Sequence, residues 1–122
     1  MGRSLKYEIP GDDPRVSPDE IDRFGWPALF ARARDRARAR AEGAEVSVDD
    51  RCVCLLALAA NAPETDYVGI EVSWKRGLKM ARKVARARLT NVLLAVGRGE
   101  EGLRDWFAPR SLAEIWVNFS DP

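Results

Sequence analysis

The residues best suited to chemistry lie in Tyr67 to Ser73, read as YVGIEVS. A short apolar run, Tyr67-Val68-Gly69-Ile70, ends in a lone carboxylate at Glu71. Ser73 follows as a helix cap, and a basic, helix-patterned stretch then runs to Arg88. A buried strand that ends in an acid and turns directly into a helix is a βα step of a nucleotide-binding sheet. There the carboxylate accepts hydrogen bonds from the two ribose hydroxyls of a nucleoside. Surface strands also end in Glu, so the competing reading is a solvated side chain. Cys52 and Cys54 are the only cysteines, and the chain has no His, so a zinc site would lack ligands. Trp26, Trp74, Trp106 and Trp116 offer planes on which bases could stack. The packing alternative puts Trp116 in the core, Trp26 and Trp106 against the sheet, and Trp74 partly exposed.

Those residues need elements to hold them. Glu45 to Val48 is a short first strand, and Val53 to Ala60 (VCLLALAA) is a buried helix closed by Asn61-Ala62-Pro63. Tyr67 to Val72 is the second strand. In the helix Trp74 to Arg88, Leu78, Ala81, Val84 and Ala85 share one face, and Lys75, Arg76, Lys79, Arg82, Lys83 and Arg86 cover the rest. That basic surface reads as either a solvated outer helix or an RNA-binding face. Asn91 to Val96 is a third strand, Glu100 to Phe107 a short helix, and Ala113 to Phe119 a fourth strand. The order βαβαβαβ predicts an α/β fold of four parallel strands with flanking helices, one half of a doubly wound sheet.

Before this lies a proline-rich arm, residues 1–30, with a short helical start in which Ser17 is the N-cap, Pro18 the first helical residue and Glu20 the capping-box partner. Residues 31–43 form an Ala/Arg-rich segment, helical or disordered, and 44–122 the sheet domain. In Ala31 to Ala41 the arginines recur every second residue and so sweep around a helix, which predicts a segment unable to bury a face. It reads as a solvated helix or as an arm that grips RNA phosphates.

The totals bound the rest. A chain of 122 residues with 46% hydrophobic and 32% charged residues suits one soluble globular domain. With a net charge of +1, nucleic acid is not attracted globally, and any basic partner surface is local. The N-terminus has no apolar signal run, no stretch reaches transmembrane length, and two closely spaced thiols suggest a reducing compartment. The expectation is a cytoplasmic protein with no membrane partner and no metal.

The opening MGRSLKYEIP, GWPALF at 25–30, ETDYVGIEVSWKR at 64–76, LTNV at 89–92 and SLAEIWVNFSDP at 111–122 stand in an order found in one family. The chain resembles the front part of bacterial tRNA (guanine-N7-)-methyltransferases. The resemblance implies a Rossmann-like fold dependent on S-adenosylmethionine, and transfer of a methyl group to N7 of a guanine in the tRNA variable loop. Glu71 resembles the family's ribose-binding acid and Glu45 the acid opening its first glycine-rich motif. Asp121 resembles the aspartate of a Pro-Asp-Pro-Trp motif at the catalytic centre, where it would hold cofactor and face the guanine N1–H and N2–H₂ donors. Guanine N7 carries a lone pair and no proton, so methyl transfer needs positioning and no general base. The absence of His is no obstacle.

The chain also departs from the pattern. Where the family has Glu-Ile-Gly-x-Gly-x-Gly, this chain has Glu45-Val46-Ser47-Val48-Asp49-Asp50-Arg51, without glycine. Gly97-Arg98-Gly99 replaces Gly-Asp-Ala, and Arg98 offers no acceptor for an adenine amino group. Ser120 replaces a proline, and the chain stops where Trp and a basic segment would follow. Two other readings therefore stand beside the enzyme: a truncated, inactive remnant, and a small RNA-binding module. An unpaired fourth strand, 115–119, would also invite self-association through its edge.

Overall fold

The computed structural model describes residues 8–40 and 54–117. Along it run α1 (Pro18–Arg40), α2 (Cys54–Asn61), β1 (Tyr67–Glu71), α3 (Trp74–Ala87), β2 (Val92–Val96) and α4 (Gly99–Asp105). The two strands pair in parallel, Tyr67 opposite Val92 through Glu71 opposite Val96.

Each strand sends alternate residues to opposite faces, and two cores result. On one face Leu93 and Ala95 meet Ile21, Leu29, Phe30 and Ala33 of α1, with Val68 and Trp106 at the margin. On the other, Val92 and Leu94 meet Leu56 and Ala59 of α2 and Ala81 and Val84 of α3. The fold is thus a three-layer α/β sandwich with β2 at its centre, Val92 to Ala95 being almost wholly excluded from water.

The far edge of β2 is occupied by the N-terminal arm. The Pro14 carbonyl accepts from Leu94 N–H (2.9 Å) and Val16 N–H donates to the Leu94 carbonyl (2.8 Å), a parallel bridge centred on Arg15. Proline suits that position, since it supplies only an acceptor to the ladder. Asp13 and Arg15 brace this segment through an ion pair at 2.6 Å. Burial alone would raise the Asp13 carboxyl, but hydrogen bonds and charge from Arg15, helped by Arg36, hold it below the usual carboxylate range.

Ser17 opens α1 as expected, through a reciprocal box: Glu20 N–H donates to Ser17 Oγ (3.1 Å) and Ser17 N–H to Glu20 Oε1 (3.2 Å). The helix does not stop there. It breaks at Gly25, at φ 75° and ψ 158°, and resumes with Pro27 close to the restart. The residues that look like loop punctuation therefore make a kink. The arginine run continues α1 to Arg40, and of residues 31–39 only Ala33 is buried, in the core, while Arg34 pairs with Asp66 ahead of β1.

The expected four-strand sheet is not what the described residues form. They contain two strands, and residues 113–117, expected to be strand, are exposed and lie outside any strand. Trp116, expected in the core, is 64% exposed, its indole N–H donating to Glu114 Oε2 at 3.1 Å. An apolar run becomes a strand only where a neighbour supplies a ladder, and none does here among the described residues. The edge-to-edge self-association argued from that strand loses its premise with it. The remainder of that predicted strand, 118–119, and the predicted first strand, 45–48, lie outside the described residues.

Candidate functional site

Glu71 is the last residue of β1 and lies opposite Val96 at the carboxyl edge of the sheet. The strand forms because Tyr67, Val68 and Ile70 fill a pleated surface. Gly69 lets it lie close to its neighbours, since a Cβ there would meet Leu94 Cδ2 at 2.8 Å and Leu55 Cδ2 at 2.9 Å. The Glu71 carbonyl accepts from Gly97 N–H at 2.9 Å, so the strand ends are tied together at this edge.

The carboxylate is preorganised. Its Oε1 accepts from Ser73 N–H at 3.0 Å and from Arg76 Nε at 3.1 Å. Ser73 has a second role: with φ −86° and ψ 122° it is the N-cap of α3, its Oγ accepting from Arg76 N–H at 3.2 Å. One short turn thus fixes both the acid and the helix that leaves it. The Glu71 side chain is 26% exposed, reachable from solvent yet restrained. Val72 and Trp74, close to it in sequence, are 62% and 58% exposed. A held, accessible carboxylate can accept hydrogen bonds from vicinal hydroxyls.

The wall behind the site is built by α4. Its helix begins at Arg98, which sits at the N-cap with φ −84° and ψ 137° and no side-chain cap bond. Gly97 and Gly102 make room for the Trp106 indole: a Cβ would stand 2.7 Å from Trp106 Cη2 at the first and 2.8 Å from its Cε3 at the second. Trp26 Nε1 donates to the Trp106 carbonyl at 2.7 Å, and its ring stacks on Phe107 at 5.4 Å, so α1 clamps α4 to the sheet. Trp26 and Trp106 therefore pack against the sheet as expected, and Trp74 is exposed.

Of the three residues expected at the site, the structure describes Glu71. Glu45 and Asp121 lie outside the described residues, as do Cys52 and the glycine-free stretch 45–51, whereas Cys54 opens α2. Among the described residues no group of three or more His, Cys, Asp or Glu side chains is arranged to hold a metal ion. Sequence reading does not single out Asn91. Its Nδ2 donates to the carbonyls of Ala59 (2.9 Å), Ala62 (3.1 Å) and Thr65 (3.0 Å), closing the end of α2 beneath the sheet. A polar residue directly before an apolar strand is the one signal available for it.

Known proteins match this chain in sequence. A tRNA (guanine-N(7)-)-methyltransferase of Cutibacterium acnes is 30% identical over 122 residues, all of this chain and 42% of that protein. The protein of the same name from Thermotoga maritima is 38% identical over 68 residues, 56% of this chain and 22% of that protein. A bifunctional glycosyltransferase/methyltransferase of Fusobacterium nucleatum is 35% identical over 65 residues, 53% of this chain and 10% of that protein. The chain thus spans less than half the length of these relatives. No solved structure matches it. A family model described as "Putative methyltransferase" matches residues 51–122, the stretch that carries Glu71, its Ser73 cap and the α4 wall. The chain belongs to this methyltransferase family.

Proposed function

We propose that the chain serves S-adenosylmethionine-dependent methylation of guanine N7 in tRNA, on a Rossmann-like sheet, in the cytoplasm. The observation that carries this reading is Glu71, a restrained and accessible carboxylate at the carboxyl edge of parallel strands. It is supported by the names of the relatives. In this reading Glu71 accepts from the ribose hydroxyls of the cofactor, while Val72 and Trp74 offer surface to its base. Glu45 belongs to the cofactor's other end, and Asp121 to the cofactor and the guanine. When bound, the cofactor supplies a methyl group on a sulfonium centre. The chain's own part is to orient: the Ser73 amide and Arg76 fix the acid, and the Trp106 wall fixes the edge on which it stands.

Calorimetric titration of S-adenosylmethionine into the whole chain tests this. Saturable heat is expected, with affinity about 10- to 100-fold weaker in Glu71→Ala, the range for a lost hydrogen bond to a charged group. Equal affinity in that variant removes Glu71 from the site.

A second reading is favoured by one specific feature. No glycine occurs between Gly43 and Gly69, so the stretch 45–51 lacks the residues that let a backbone approach a ligand closely. On that reading the chain is a family member that does not bind cofactor, and the same titration gives no heat at millimolar ligand.

A further inference from the structure

The charge of this protein is unevenly placed. The whole chain has a net charge of +1, yet α3 carries Lys75, Arg76, Lys79, Arg82, Lys83 and Arg86 and no acid. Its opposite face, Gly77, Leu78, Ala81, Val84 and Ala85, is buried, with Ala81 and Val84 packed against β2 and α2. The basic side chains are therefore confined to the outer surface, where Lys75, Lys79 and Arg86 are exposed. Arg88 extends the series past the helix end in a left-handed conformation, φ 56°, a position at which glycine is favoured.

Two features run against stability as the reason for this pattern. Lys75 lies in the first turn, where the helix dipole disfavours a cation, and the turn itself holds no acid, Glu71 before the cap being paired with Arg76. Like charges at i and i+4, as in Lys75 and Lys79, repel. The arginines of α1 lie among acids of the same helix and its neighbours. Arg23 pairs with Asp19, Arg34 with Asp66 and Arg38 with Asp35, Arg36 acts on the charge of Asp13, and Arg32 lies over the Phe24 ring. That helix carries acids among its bases, whereas α3 has none of its own, and its Arg76 and Arg82 reach outside the helix, to Glu71 and to the Glu8 carbonyl.

We propose that the outer face of α3 is an RNA-docking track. Lys75, Lys79 and Arg86, at i, i+4 and i+11, with Arg82 between them bound to the Glu8 carbonyl, make a stripe about 16 Å long at 1.5 Å rise per residue, enough to follow several phosphates of one strand. The stripe begins in the first turn after the Glu71–Ser73 corner, so a polyanion laid along it arrives at the carboxyl edge of the sheet. This rests on the reading above for its substrate class and adds the surface that would hold the substrate.

The test is a salt series of binding to a fluorescein-labelled hairpin RNA, using the full chain and the triple variant Lys75→Ala/Lys79→Ala/Arg86→Ala. The triple variant is expected to bind about 10- to 100-fold more weakly at low salt, with the slope of log K against log[salt] shallower by about 2 to 3. The charge-preserving variant Lys75→Arg/Lys79→Arg/Arg86→Lys is expected to bind as the wild type does, which separates lost charge from lost folding. Replacing Arg32 and Arg38 of α1 with alanine should leave the slope nearly unchanged. The proposal is overturned if the triple variant keeps its slope, if the wild type binds no RNA, or if phosphatidylserine vesicles bind the chain more tightly than RNA does. If the chain gives no heat with S-adenosylmethionine but shows RNA binding that depends on α3, the catalytic reading falls and the docking track stands. If it binds the cofactor and the triple variant still holds RNA normally, the reverse is true.

Discussion

A single amide, Asn91 Nδ2, meets three carbonyls at the end of α2, and Asn91 is only 3% exposed. Asn91→Ala should therefore cost about 2 to 3 kcal/mol, the range for buried acceptors left unmet. Asn91→Asp should cost more at neutral pH, because it turns a carboxylate toward carbonyl oxygens, and should recover partly once acid protonates it. Urea unfolding at neutral and acid pH checks both expectations. Glu71 behaves differently. Its partner Arg76 is 51% exposed, so the ion pair adds little to stability. Glu71→Gln should change the unfolding free energy by less than about 1 kcal/mol while weakening ligand binding about 10-fold, a separation that a purely structural acid would not show.

At the scale of elements, α4 depends on close approach. A Cβ on Gly102 would stand 2.7 Å from Ile70 Cδ1 and 2.8 Å from Trp106 Cε3. Alanine gains about 1 kcal/mol in helix propensity, but overpacking of this kind costs about 1 to 3 kcal/mol. The indole cannot easily give way, since Trp26 holds the Trp106 backbone. Gly102→Ala should therefore destabilise the protein, whereas Gly99→Ala, with nothing within 4 Å of its Cβ, should be neutral or stabilising by up to about 1 kcal/mol. Thermal unfolding of the two variants side by side checks the contrast. The helix α3 was legible almost to the residue, Trp74 to Arg88 against Trp74–Ala87, because cap, apolar face and basic face agree along one local stretch. The continuation of α1 was not, because Gly25 and Pro27 punctuate a loop and a kink equally well.

For the molecule as a whole, the Asp13–Arg15 pair braces the arm beside β2. The folded-state carboxyl of Asp13 is held below its ordinary value. Its contribution is therefore fully present above the unfolded carboxylate pKa of about 3.9 and is lost as pH falls through the lower folded value. Asp13→Asn should be less stable than the wild type at pH 7, and the difference should vanish in strong acid. A urea series from pH 7 down to about pH 2 checks this, and a difference that grows toward acid would contradict it. No helix among the described residues is long and apolar enough to cross a membrane.

Sequence alone determined the local part of this protein. The capping box at Ser17, the β1–α3 step with Glu71 at the tip of a strand, and the apolar run Val92 to Ala95 all follow from side-chain types within a few residues of one another. Tertiary structure decided which surfaces meet. It placed Pro14 to Val16 on the edge of β2, buried Ala33 within an arginine run, and left Trp116 exposed where an apolar stretch suggested a strand. The physical reason is that a helix satisfies its backbone hydrogen bonds from within, while a strand needs a partner distant in sequence, and local pattern does not record which partner comes.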